Sequence, residues 1–217
     1  MQVGVDEAGK GPVLGSMFAA AVRAPADTIP NGVRDSKDLT AARREEFAGA
    51  LRADDRVAVG IAEIPAERID DPGTDMNTLT VAAHAEALGS VATNGDVVYL
   101  DAGDVDAARF GHRVGERLDA DAGLRAEHGA DAERPIVAAA SVIAKVERDA
   151  HVADLAAEYG AIGSGYPGDA TTRSFLDAYV AEHGELPDCA RASWRTSEDV
   201  LAAHGIKAEN QSTLGEF

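Results

Sequence analysis

The stretch Gly4-Val5-Asp6-Glu7-Ala8-Gly9-Lys10-Gly11-Pro12 constrains this chain more than any other. Val3 to Val5 before it and Val13 to Val22 after it read as two strands joined by a Gly-Lys-Gly turn. Two adjacent acids therefore fall at strand positions, where acids are disfavoured and must be neutralised if buried. A divalent cation would neutralise them. The glycines let the backbone approach a ligand and adopt positive φ, and Pro12 ends the turn. Gly4, Gly9 and Lys10 also fit the phosphate-loop spacing G-x-x-x-x-G-K. Gly11, however, stands where that loop needs a hydroxyl, and Asp6 and Glu7 would point negative charge at the phosphates. That reading is set aside, which leaves an acidic hairpin turn without chemistry or a metal site.

At 217 residues the chain is most simply one domain with a sizeable core. No apolar run approaches a membrane span, and no basic-then-apolar signal peptide opens the chain. A lone cysteine, Cys189, excludes an internal disulfide and suits a reducing cytoplasm. The charge is unusual: 38 acids against 20 Lys plus Arg give −18, the wrong sign for a nucleic-acid binder. Only Lys10, Lys37, Lys145 and Lys207 are lysines, the acidic, lysine-poor surface of a protein from a salt-loaded cytoplasm. At molar salt the Debye length falls to about 3 Å, so polyanion repulsion is screened. Recognition then rests on metals, backbone amides and a few placed cations.

Along the chain, Thr40 reads as the N-cap of a helix over 41–53, and Arg56 to Ile64 as a third strand. A helix over 78–91 follows, with Asn77 as its cap. Asp96 to Leu100 is a fourth strand ending at Asp101, and the C-terminal end of a core strand is where α/β sheets place ligand groups. Residues 107–121 read as helix and 123–133 as a polar excursion. Pro135 to Ala140 reads as a short fifth strand, then a helix from Ser141 to Tyr159. Ser141, Lys145 and Asp149 stand at i, i+4 and i+8 as one polar stripe, with Glu147 and Arg148 exposed. Gly163-Ser164-Gly165-Tyr166-Pro167 presents an aromatic that can stack on a sugar or base, or plug a core. Helices over 170–182 and 196–203 complete the chain, with Trp194 a packing residue between them.

Four blocks, in order over residues 3 to 196, resemble the ribonuclease HII family. They are Asp6-Glu7-Ala8-Gly9-Lys10-Gly11-Pro12, Asp35-Ser36-Lys37-Asp38-Leu39, Asp101 with Asp104-Val105 and Arg109-Phe110, and Ala140 to Asp149. Gly165-Tyr166-Pro167 and Arg191-Ala192-Ser193-Trp194 add to them. The resemblance implies a ribonuclease H-like α/β fold: a mixed five-stranded sheet flanked by helices, with a C-terminal helical lobe. It implies a core over 1–159, a lobe over 160–205 and a tail over 206–217. It also implies endonucleolytic cleavage of RNA in RNA–DNA hybrids and 5′ of single ribonucleotides embedded in DNA, leaving 3′-hydroxyl and 5′-phosphate ends. Asp6, Glu7, Asp101 and Asp149 would be the catalytic carboxylates, and such a set suits two Mg²⁺ or Mn²⁺ ions. Gly9, Lys10 and Gly11 would read the 2′-hydroxyl, with Ser141 and Lys145 near phosphates and Tyr166 packed past the ribose. Lys37 would reach the substrate or the carboxylates, while its segment reads equally as a capped helix start.

In the tail, Gln211, Leu214 and Phe217 stand at i, i+3 and i+6 and resemble the sliding-clamp-binding peptide of archaeal replication and repair proteins. The expected partners are hybrid and ribonucleotide-containing duplex for a cytoplasmic monomer, and the clamp through this tail. The competing readings are another metal nuclease of the same fold, such as a junction resolvase, and a non-catalytic clamp or nucleic-acid adaptor.

Overall fold

The computed structural model of the chain describes residues 1–30, 32–33 and 39–206. In chain order its elements are β1 (Gln2–Ala8), β2 (Met17–Ala24), α1 (Ala41–Ala53), β3 (Ala58–Ile64), α2 (Ala66–Ile69), α3 (Met76–Gly89) and β4 (Val97–Asp101). Then come α4 (Ala107–Gly115), β5 (Gly123–Glu127), α5 (Ala130–Glu133), α6 (Pro135–Tyr159), α7 (Ala170–His183) and α8 (Arg195–Ala203). The strands form one five-stranded sheet in the order β3-β2-β1-β4-β5. β1 runs antiparallel to β2 and parallel to β4, so the sheet is mixed, as expected.

Residues alternate across β1 and divide the core. Val3 and Val5 join Val98, Leu100, Leu79 and Leu88 on the face covered by α3 and α4. On the other face Ala20 and Val22 of β2 meet Ile136, Val137 and Val142 of α6 and Leu51 of α1. The alanines of β2 let helices settle against both faces. At Gly4 the approach is close: a Cβ there would lie 2.2 Å from the Ile136 carbonyl oxygen, so no side chain fits. Gly4 is thus a seat for α6 rather than part of a phosphate loop. A third cluster, with Val13, Leu14, Ile162 and Leu176, ties α7 and the loop before it to the chain after β1.

Pro135 to Ala140 is the first turn and a half of α6, not a strand. Residues 136–144 are all buried, so no polar face separates a strand from a helix, and Pro135 at the first helical position suits a helix start. The fifth strand instead lies inside the polar stretch. Gly-Leu-Arg-Ala-Glu is an edge strand whose half-exposed, charged side chains hide it from a search for apolar runs. Thr40 caps α1 as expected, accepting from the Arg43 amide. The cap of α3 is Asp75, which accepts from the Thr78 amide at 2.9 Å, and Asn77 is free for another role.

Candidate active site

The site forms where β1 and β4 end side by side. Continuing their parallel register, in which Val5 lies beside Leu100, brings Asp6 level with Asp101. Gly4 and Asp6 share one face of β1, so the close seat of α6 at Gly4 also carries Ser141 to Asp6. Ser141 is fully buried; its hydroxyl bonds Asp6 and accepts from Lys145 Nζ. The hydroxyl is thus engaged with the Asp6 carboxylate and Lys145, whereas the family resemblance places Ser141 near a substrate phosphate. Glu7 points to the opposite face and meets α3, where His84 Nε2 lies 2.7 Å from Glu7 Oε2. His84 is wholly buried, edge-on to Phe110, and its Nδ1 has no partner among the described residues. Nε2 is thus the nitrogen that donates to Glu7.

Asp101 Oδ1 accepts from the Ala130 amide at 2.8 Å, so the end of β4 anchors the start of α5. The next residue, Asp131, is buried, and its charge acts on Asp101. Asp131 was not anticipated. Asp149 was, yet the structure does not bring it here. It lies eight residues beyond Ser141 on α6, about 12 Å along the axis at 1.5 Å per residue. There it is half-exposed and pairs with Arg44 Nη2 at 2.7 Å. Arg148, expected to be exposed, instead reaches the Ser164 carbonyl and stacks over Tyr166, 5.2 Å from the ring centre.

Electrostatics set the acids of this cluster against one another. Burial pushes the Asp6 carboxyl well above its ordinary range, and the charges of Glu7 and Asp101 push it further against the bond from Ser141 and the charge of Lys145. Burial likewise raises Asp101, with Asp131 and Glu7 adding to it against the Ala130 amide. Burial would raise Glu7 too, but the His84 hydrogen bond and the charges of His84 and Lys10 hold it below the usual value. Acids drawn together at such cost suit an oxygen-seeking divalent cation. Among the described residues no three acid, histidine or cysteine side chains are grouped so as to hold a metal ion by themselves. Water and phosphate oxygens would have to complete any coordination shell.

The Gly9–Gly11 turn adjoins the acids. Gly9 takes φ +86°, the left-handed conformation expected of glycine. Lys10 Nζ donates to the Gly103 carbonyl and lies 3.4 Å from Asn77 Oδ1, so Asn77 steadies the lysine. Glu7, Lys10, Asn77, Gly103 and His128 line an open cleft of about 630 Å³. The half-exposed ring of Tyr166 flanks the turn: a Cβ added to Gly11 would come within 3.7 Å of it. Lys37 and the tail residues Gln211, Leu214 and Phe217 lie outside the described residues.

The family model for ribonuclease HII matches residues 3–197. The chain belongs to the ribonuclease HII family. It is 62% identical over 215 residues to ribonuclease HII of Halobacterium salinarum, covering 99% of this chain and 98% of that one. The ribonuclease H2 of Pyrococcus horikoshii superposes with a TM-score of 0.86 at 35% identity, over 93% of this chain and 97% of that one. A ribonuclease HII from Archaeoglobus fulgidus, solved in a complex with PCNA, gives 0.83 at 34% identity, over 92% and 96%. Membership makes this chain an endoribonuclease of the ribonuclease H type, acting on RNA–DNA hybrids. The salt-adapted composition fits a relative from Halobacterium. Among the described residues no helix is long and apolar enough to cross a membrane.

Proposed function

We propose that this ribonuclease HII also incises DNA on the 5′ side of a single embedded ribonucleotide, leaving 3′-hydroxyl and 5′-phosphate ends. Asp6, Glu7, Asp101 and Asp131 are its metal-holding carboxylates. The observation that carries this reading is the adjacency of buried acids from β1, β4 and α5 to a glycine turn flanked by Tyr166. Two Mg²⁺ or Mn²⁺ ions, when bound, would supply an activated water and stabilise the leaving 3′ oxygen. The chain's own residues do the rest. His84 and Ser141 fix the two β1 carboxylates, and Lys145 and Lys10 temper their charge. The Gly9–Gly11 backbone meets the 2′-hydroxyl, the group that tells RNA from DNA, while Tyr166 stacks on the neighbouring nucleotide. The decisive experiment offers a DNA duplex carrying one ribonucleotide, with and without magnesium, at several salt concentrations. A single magnesium-dependent cut 5′ of the ribonucleotide is expected. Cleavage restricted to long hybrids would overturn the reading.

The enzyme acts as a cytoplasmic monomer and is brought to its substrate by the sliding clamp, through Gln211, Leu214 and Phe217. The relative from Archaeoglobus fulgidus solved with PCNA supports this assignment. Deleting residues 211–217 is expected to abolish capture by immobilised clamp, leaving the rate on short hybrids within about twofold of wild type, since distant sites act additively. Clamp capture by the truncated chain would place the contact elsewhere.

A further inference from the structure

Arg191 is fully buried, an unusual place for an arginine. Its guanidinium faces backbone. Nη2 donates to the Gly9 carbonyl at 2.6 Å, Nη1 to the Lys10 carbonyl at 3.0 Å and Nε to the Gly15 carbonyl at 2.9 Å. Trp194, three residues on, aims its indole N–H at the Gly11 carbonyl at 3.4 Å, with its ring 5.0 Å from the Arg191 guanidinium. The three consecutive carbonyls of the turn are thus all taken by one short segment between α7 and α8. By contrast, among the described residues no group accepts a hydrogen bond from the amides of Gly9, Lys10 or Gly11. The turn's acceptors are bound inside the protein while its amides have no protein acceptor among the described residues, which leaves those donors to face water or a ligand oxygen.

The segment is itself fixed. The Arg191 amide donates to the Val13 carbonyl at 2.8 Å, and Ser197 Oγ donates to the Arg191 carbonyl at 2.8 Å. Asp70 accepts from the Ala192 and Ser193 amides at 2.7 and 2.9 Å. Among the described residues no carboxylate pairs with Arg191 directly. Burial lowers its pKa to about 10, so it remains charged at neutral pH at the cost of desolvation. An apolar side chain could fill the space without that cost. A rigid planar fork that holds several carbonyls in fixed directions could not be replaced in that way.

We propose that Arg191, aided by Trp194, is a positioning residue that locks the Gly9–Gly11 turn in its ribose-reading conformation. Selectivity for ribonucleotides then depends on a side chain that never touches the substrate. The inference rests on the ribose-reading role given to the turn above.

The test compares wild type, Arg191→Lys and Trp194→Phe for KM and kcat on a duplex with one ribonucleotide, for Kd on the matched all-DNA duplex, and for thermal unfolding. Wild-type enzyme is expected to prefer the ribonucleotide duplex; no preference would overturn the ribose reading itself. In Arg191→Lys, which keeps the charge but not the fork, KM for the ribonucleotide duplex should rise at least about tenfold as hydrogen bonds to the turn are lost. Its Kd for all-DNA duplex should hold, so the preference collapses. A folded Arg191→Lys with lower melting temperature and wild-type preference would make the arginine merely structural and overturn the inference. Should that variant not fold, Trp194→Phe decides, because it keeps an aromatic ring near the Arg191 guanidinium and removes the indole N–H. A drop in preference of about threefold or more supports the lock, and an unchanged preference sinks it.

Discussion

Asp6→Asn should abolish hybrid cleavage and at the same time raise the melting temperature of the metal-free protein at neutral pH. The two effects share one cause. Asp6 is buried beside Glu7 and Asp101, and its carboxyl is held well above the ordinary range. A carboxyl raised on folding contributes stability that is full below its unfolded pKa, near 4, and lost as pH rises through the folded value. At neutral pH the metal-free enzyme therefore carries the cost of an acid whose charge its buried site disfavours. The asparagine removes that charge and keeps an oxygen for the Ser141 hydroxyl. The stability gain should be present at pH 7 to 8 and vanish below about pH 4, where native Asp6 is itself neutral. Cleavage should fall more than about 100-fold, beyond the cost of losing a supporting partner of a metal ligand. Thermal unfolding at the two pH values, with a hybrid assay in magnesium, checks both. Residual cleavage near wild type would remove Asp6 from the chemistry. A neutral-pH loss of stability would mean that the buried charge is already compensated within the fold.

How much of this could be read from the sequence depended on whether a residue's role was local. Asp6, Glu7 and the Gly-Lys-Gly turn announce themselves because acids at strand positions and consecutive glycines are each costly unless used. Asp101 was legible as an acid closing an apolar strand. Asp131 was not, for two reasons that compound. The strand before it carries an edge's polar alternation, and the run after it is buried all round, so neither neighbour shows the apolar periodicity of its element. The polar stripe of α6 is legible from its spacing, but only its near end, Ser141 and Lys145, faces Asp6, while Asp149 lies further along the helix and pairs with Arg44. His84 sits among alanines on a helix and gains meaning only when Glu7 arrives from β1. Arg191 is the extreme case. Sequence statistics put arginine on the surface, and its partners lie 176 to 182 residues away in the chain.

The fourth carboxylate can be settled by two substitutions with opposite outcomes. Asp131→Asn should lower cleavage more than about 100-fold, as at Asp6, whereas Asp149→Asn should stay within about threefold of wild type. Asp149 shares a partly exposed ion pair with Arg44, and such a pair is worth less than about 1 kcal/mol; Arg44 also keeps its bond to the Leu39 carbonyl. Asp131 is buried, and its charge helps to push the Asp101 carboxyl upward, so the two acids lie within electrostatic reach of one another. Removing its charge should let Asp101 titrate lower, an effect visible in the pH dependence of stability even where no turnover can be measured. The metal-free Asp131→Asn protein should therefore lose less stability than wild type as pH rises from 4 to 7, while Asp149→Asn should follow the wild-type curve. If Asp149→Asn silenced the enzyme and Asp131→Asn did not, the catalytic ions would have to sit on the outer flank of α6, and the acids gathered at the end of β1 would need another explanation.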